Sequence, residues 1–185
     1  MKQGIVGSTS DDRLKALAGE VLRQAQEKRD FRADDRALTL SSNGASLLTI
    51  DSLTEEFTVN DIAHGQIATR LGIPKKYYDR LRGEHPEVLD ANVNGLWRVS
   101  GDRRMVRTLD GKARAYLSDR YRPLDNDDLL GAVLPVLAEA PDLELQSCQV
   151  TDQRIYVKAV FPRTQAEVEV GDVVQGGIVI SNSEV

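Results

Sequence analysis

Apolar residues at Leu14, Leu17, Val21, Leu22 and Ala25 recur at three- and four-residue spacing, so the chain opens with one stripe of a helix. Ser10 followed by Asp11 and Asp12 supplies its start, with acids where the helix dipole favours them, and Lys28 marks its end. Two β-favouring runs follow, Ala37–Leu40 and Leu47–Ile50, joined through Ser42-Asn43-Gly44. Asn-Gly between such runs signals a hairpin, because both turn positions need positive φ. Asn60 is a candidate N-cap for a helix carrying Ile62, Ala63, Ile67 and Leu71 and stopping at Gly72. Pro74 suits the first turn of the next, with Tyr77, Tyr78 and Leu81, and Pro86 opens a third with Val88, Leu89, Val93 and Leu96 inward.

MVRTL and ARAYL flank Asp110-Gly111 as a second hairpin. Asp125 or Asn126 then caps a helix through Leu130, Val133, Leu134 and Leu137 that ends before Pro141. LELQSCQV, RIYVKAVF and VVQGGIVIS predict three closing strands. The pattern predicts an α+β fold, an antiparallel sheet built from hairpins with inserted helices. It is organised as an N-terminal helix over 1–30 and a single domain over 31–185. No GxGxxG or GxxxxGK[ST] occurs, so Gly171, Gly176 and Gly177 make no phosphate loop.

The second hairpin predicts a particular surface. With a two-residue turn at Asp110-Gly111, Leu109 faces Lys112, Arg107 faces Arg114, Met105 faces Tyr116 and Arg103 faces Ser118. Val106, Thr108, Ala113, Ala115 and Leu117 would then lie on the core, with Arg104 near the end of that face. Two arginines directly across from one another repel and require an anion. A carboxylate of this acid-rich chain is the commoner solution. A phosphate is the other, with Tyr116 as a stacking surface and Arg120 and Arg122 extending the patch.

QIATRLGIPKKYYDRL, residues 66–81, has the rhythm of a helix-turn-helix. In a DNA reader, Lys75, Lys76 and Tyr77 would begin the recognition helix. A tight helical corner asks for the same small residue and glycine, so the segment reads first as scaffold, with Lys75, Lys76 and Arg80 adding charge to a basic surface. The candidate nucleic-acid-binding set is therefore Arg103, Arg107, Lys112, Arg114, Tyr116, Arg120, Arg122, Lys75, Lys76 and Arg80.

Charge sharpens this picture. The chain of 185 residues carries a net charge of −5, yet residues 70–122 hold 13 Lys/Arg against 7 Asp/Glu. Acidic flanks surround a basic centre. The single Cys148 excludes an internal disulfide and any multi-cysteine zinc site, and reads as a small buried residue. His64 sits mid-helix beside no nucleophile and reads as structural, as does Trp97. Asp125, Asn126, Asp127 and Asp128 are explained by an acidic helix start, so no metal and no cofactor is expected. No apolar run is long enough to cross a membrane, and MKQGIVGSTSDD lacks a signal peptide's apolar stretch. The expected compartment is the cytoplasm.

LGIPKKYYDRL, NVNGLW, RRMVRTLDGKARAYLSDRYRPLDNDDLL and GGIVISNSEV together resemble the phage- and plasmid-associated family catalogued as domain of unknown function 932, over roughly residues 55–185. VRTLDGKARAYLSDRYRPLDN at 106–126 is the most specific portion. The resemblance implies residence on mobile elements beside replicating DNA and supplies no catalytic mechanism. Family members continue past the Asn-Ser-Glu segment, which implies a truncated or short member here. The leading expectation is a non-enzymatic phage, prophage or plasmid accessory protein that binds nucleic acid, single-stranded, in recombination or replication. The alternative is a protein-interaction module, such as an inhibitor of a host defence system or a phage assembly factor. A nuclease or hydrolase using Asp119, Asp125 and Asp127 is the minor reading.

Overall fold

A computed structural model describes residues 10–42, 44–140, 142–170 and 172–185, in an α+β fold. The expected turn residue Asn43, Pro141, Gly171 and the side chains of Ser10 and Asp11 lie outside the described set. The described chain forms two compact units. One takes residues 27–122 and the other takes the N-terminal segment up to Gln26 together with Pro123–Glu184. This division differs from the expected cut at residue 30, because the first helix shares its core with the last third of the chain.

In the unit of residues 27–122, six strands stand in the order β1-β5-β6-β4-β3-β2. They are β1 (Arg29–Asp34), β2 (Leu38–Ser42), β3 (Ser46–Ile50), β4 (Glu56–Val59), β5 (Arg103–Leu109) and β6 (Lys112–Ser118). Both expected hairpins form, and Asp110 and Gly111 adopt positive φ of 51° and 71° as their turn requires. The sheet is mixed, since β4 pairs parallel with β6 through Thr58 and Val59. β1 and β2 lie at opposite edges yet are joined by a 3-10 turn of three residues, Asp35–Ala37. So short a link between the two edges requires the sheet to curl strongly.

The helices α2 (Asp61–Arg70), α3 (Lys75–Glu84) and α4 (Pro86–Ser100) share one core with this sheet. Leu40, Leu48, Phe57, Val106 and Tyr116 meet Ile67, Tyr78, Leu89, Val93 and Trp97 there. Each such side chain contributes roughly 1.5–3 kcal/mol by leaving water. Asn60 caps α2 as expected, accepting from the Ala63 amide at 2.9 Å. α4 also seals the β2 edge. Asn94 Oδ1 accepts from the Leu40 amide at 2.8 Å, Asn94 Nδ2 donates to the Leu40 carbonyl at 2.8 Å, and Asp90 accepts from the Ser42 amide at 2.7 Å.

In the other unit, α1 (Ser10–Glu27) and α5 (Asn126–Glu139) pack on the antiparallel sheet β7-β8-β9, formed by Glu144–Val150, Arg154–Glu169 and Asp172–Ser183. Alternation, broken once by a register shift between Leu145 and Ser147, decides the faces: Leu145, Cys148, Ile155, Val157, Ala159 and Ile180 join Leu17, Val21 and Leu130 in its core. Burial raises the Cys148 thiol pKa, which keeps it an inert packing residue. The carboxylate of Glu184 is buried and accepts from the Asn126 amide at 2.6 Å, while Asn182 Nδ2 donates to Asn126 Oδ1 at 3.0 Å. The Asn-Ser-Glu segment therefore ties down the start of α5, a structural use for both stretches of sequence.

Candidate nucleic-acid interface

The hairpin does not present the expected face. Lys112 pairs with Leu109 and Ala113 with Thr108, but Ala115 then faces Arg107, because Arg114 is an extra residue in β6. This β-bulge shifts every later partner by one, so Tyr116 pairs with Val106 and Leu117 with Met105. Arg107 and Arg114 are not opposed, and both are buried, at 0% and 1% exposure. Arg107 lies across from Asp30 on β1 and donates through Nε to its carboxylate at 2.9 Å. The carboxylate solution holds for Arg107.

Tyr116 is buried and belongs to a polar cluster where the curled sheet meets α4. Its hydroxyl donates to Asp35 and accepts from Trp97 Nε1 at 3.1 Å and Arg104 Nε at 3.2 Å. Ser100 Oγ donates to the same Asp35 carboxylate at 2.7 Å, and Arg104 Nη2 reaches Asp102 at 2.6 Å. Burial, reinforced by Asp35, pushes the Tyr116 pKa well above the tyrosine range, so the phenol remains a donor. Burial disfavours the charge on Arg104, but the Tyr116 hydrogen bond and the carboxylates of Asp35 and Asp102 outweigh it and raise its pKa. A buried anion matched in this way holds the fold and offers no surface to a ligand. Tyr116, Arg107 and Arg114 therefore leave the candidate set as direct contacts.

The inner side of the helical corner is packed. Ala63, His64, Ile67 and Ala68 of α2 and Tyr78 and Leu81 of α3 face inward, and Gly72 turns the chain at φ 67°. A 2.7 Å hydrogen bond joins His64 Nδ1 to the Tyr78 hydroxyl. On the solvent side Tyr77 is 43% exposed, with the Arg80 guanidinium 5.5 Å from its ring centre. Lys75 is exposed and spends its charge on Asp79 at 2.8 Å. Lys76 is exposed and enters no ion pair among the described residues.

Register then shows which remaining bases share an end of this unit. α2 follows β6, since the Asn60 amide donates to the Ala113 carbonyl and Gln66 Oε1 accepts from the Tyr116 amide at 2.6 Å. Its last residue, Arg70, and the start of α3 with Lys76 therefore lie toward the Ser118 end of β6. α4 finishes at the same end, where Trp97 meets Tyr116 and Ser100 meets Asp35, bringing Arg98. Arg103 begins β5 opposite Asp34, and the turn closed by Tyr121 N to the Ser118 carbonyl carries Arg120, with Arg122 following. All six side chains are exposed. The acids around them are engaged: Asp34 with Arg36, which holds its carboxyl down at about 2, Asp102 with Arg104, and Asp79 with Lys75. Asp119 is half-buried beside them.

Lys112 is exposed at the opposite end of the hairpin, next to the Asp110-Gly111 turn. Arg70 and Arg98 are missing from the sequence-derived set. Their signal is present only as exposed basic residues in the last turns of α2 and α4. Among the described residues no three of His, Cys, Asp and Glu gather as metal ligands, and no helix is long and apolar enough to cross a membrane. Comparisons with protein-family models, curated proteins and solved structures return no match to this chain.

Proposed function

We propose that this chain binds nucleic acid through the phosphate backbone, as a non-enzymatic accessory protein of a phage, prophage or plasmid. The observation that carries the reading is the convergence of Arg70, Lys76, Arg98, Arg103, Arg120 and Arg122 on one end of the curled-sheet unit, beside carboxylates already occupied. Cations spaced over such a surface attract a polyanion and release its counterions on contact. Tyr77, exposed next to Lys76 and braced by Arg80, supplies the base-stacking surface that the buried Tyr116 cannot. An exposed aromatic beside phosphate-binding bases favours single strands, whose bases are open to stacking. The resemblance of residues 106–126 to a mobile-element family supports the cellular setting.

Fluorescence anisotropy with a labelled single-stranded oligonucleotide and with its duplex tests this. The account expects binding at low salt that weakens as salt rises, tighter for the single strand and reduced by Tyr77→Ala. Absence of binding at low ionic strength refutes it.

A further inference from the structure

We propose that Arg36 is a preoriented phosphate fork at the basic end, gripping one backbone phosphate of the nucleic acid through both of its terminal nitrogens. The inference rests on the nucleic-acid reading above and adds a residue that stands outside both the sequence-derived set and the six converging bases. Arg36 lies in the three-residue turn between β1 and β2. That turn belongs to the basic end. Asp34 pairs with Arg103 across the β1–β5 ladder, and the Asp35 amide donates to the Asp102 carbonyl at 2.9 Å.

The guanidinium is held on one edge and on one face. Nε and Nη2 donate to the two oxygens of Asp34 at 2.9 Å and 3.0 Å, a bidentate pair along one edge of the plane. The same carboxylate accepts from the Arg36 amide at 3.0 Å, so one group anchors backbone and side chain together. The face of the plane rests on Gly101, which ends α4. A β-carbon there would stand 3.2 Å from Cζ, 3.3 Å from Nη2 and 3.4 Å from Nε. Distances so nearly equal mean that the plane lies flat against Gly101. With a φ of 60°, the position favours glycine for its backbone as well as for the room it leaves.

The other edge stays open. With Nε and one N–H of Nη2 engaged, Nη1 and the second N–H of Nη2 form an end-on fork on a side chain that is 62% exposed. Such a fork matches two oxygens of one anion, and a phosphodiester offers that pair in its non-bridging oxygens. Exposed long side chains lose rotamer freedom when a ligand orders them, whereas Arg36 is ordered beforehand. The Asp34 carboxylate screens the charge of Arg36, so its contribution is geometry at a surface where the other bases supply the attraction.

Anisotropy titrations of a labelled single-stranded oligonucleotide test the proposal with two variants. Arg36→Lys keeps the charge and loses the fork. It should bind about tenfold more weakly, with the slope of log affinity against log salt unchanged. Gly101→Ala leaves every charge in place but pushes the guanidinium aside, and should weaken binding too. Gly111→Ala imposes the same left-handed strain, at a φ of 71° with nothing within 4 Å of the added carbon, and should bind as the unaltered chain does. An unaltered chain that binds no oligonucleotide at low salt overturns the nucleic-acid reading and this proposal together. Binding that Arg36→Lys leaves at full strength, or that Gly101→Ala and Gly111→Ala weaken alike, overturns this proposal alone.

Discussion

Tyr116 gives its hydroxyl proton to Asp35, a carboxylate with no exposure to solvent, and thereby locks the β5–β6 hairpin to the turn that joins the two edges of the sheet. The same oxygen receives hydrogen bonds from Trp97 and Arg104, so one phenol satisfies three buried partners. Tyr116→Phe removes all three bonds without changing shape. A buried group left unsatisfied costs about 1–3 kcal/mol, so the variant should lose roughly 2–4 kcal/mol in urea unfolding. Oligonucleotide affinity of the folded variant should stay at the wild-type level.

His64 makes stability depend on pH. Burial, with the nearby Arg82 charge adding, lowers its pKa from 6.5 to about 4. The folded state therefore prefers the neutral ring, and the unfolded chain takes up the proton first. This contribution is full above about pH 6.5, falls as pH drops toward about 4, and totals roughly 3 kcal/mol. Urea midpoints measured across that window should fall for the wild type. The fall should be shallower in His64→Gln, which cannot titrate. Equal slopes in the two proteins would show that His64 does not carry the effect.

Asn94 replaces a strand at the β2 edge. Asn94→Ala removes both bonds to Leu40 and frees that backbone for other chains. A loss of about 1–3 kcal/mol is expected in chemical denaturation, together with faster aggregation on warming. Asp90→Asn, which keeps an acceptor for the Ser42 amide, should be milder.

Local signals carried most of the elements. The apolar stripes, the Asn60 cap and the Asp110-Gly111 turn each lie within a few residues of what they determine, and the α+β class follows from them. The structural roles of His64 and Trp97 were legible for the same reason. β1 was not: RDFRAD alternates charges and becomes a strand only through its pairing with β5. β4 is only four residues long and is defined by partners in β3 and β6. The bulge at Arg114 carries no glycine to announce it, yet it decides which face Tyr116 occupies. Both faces of β5 and β6 are buried, so an arginine platform was excluded on either register, and the bulge decides only which core Tyr116 joins. The basic end was partly legible, since Lys76, Arg103, Arg120 and Arg122 stood in the sequence-derived set. Their grouping with Arg70 and Arg98 depends on how α2 and α4 cross the sheet.

The central claim rests on position, and charge reversal at two positions tests it most directly. Arg120→Glu and Lys112→Glu change net charge equally, but Arg120 lies at the proposed binding end and Lys112 at the opposite end of the same hairpin. Anisotropy titrations of a labelled single strand at about 50 mM and about 200 mM salt should show roughly tenfold weaker binding for Arg120→Glu. The slope of log affinity against log salt should flatten by about 0.7 for each phosphate that the variant no longer neutralises. Lys112→Glu should bind close to the wild type. Equal weakening by both substitutions, or by neither, would contradict a binding surface at the Arg103–Arg120 end.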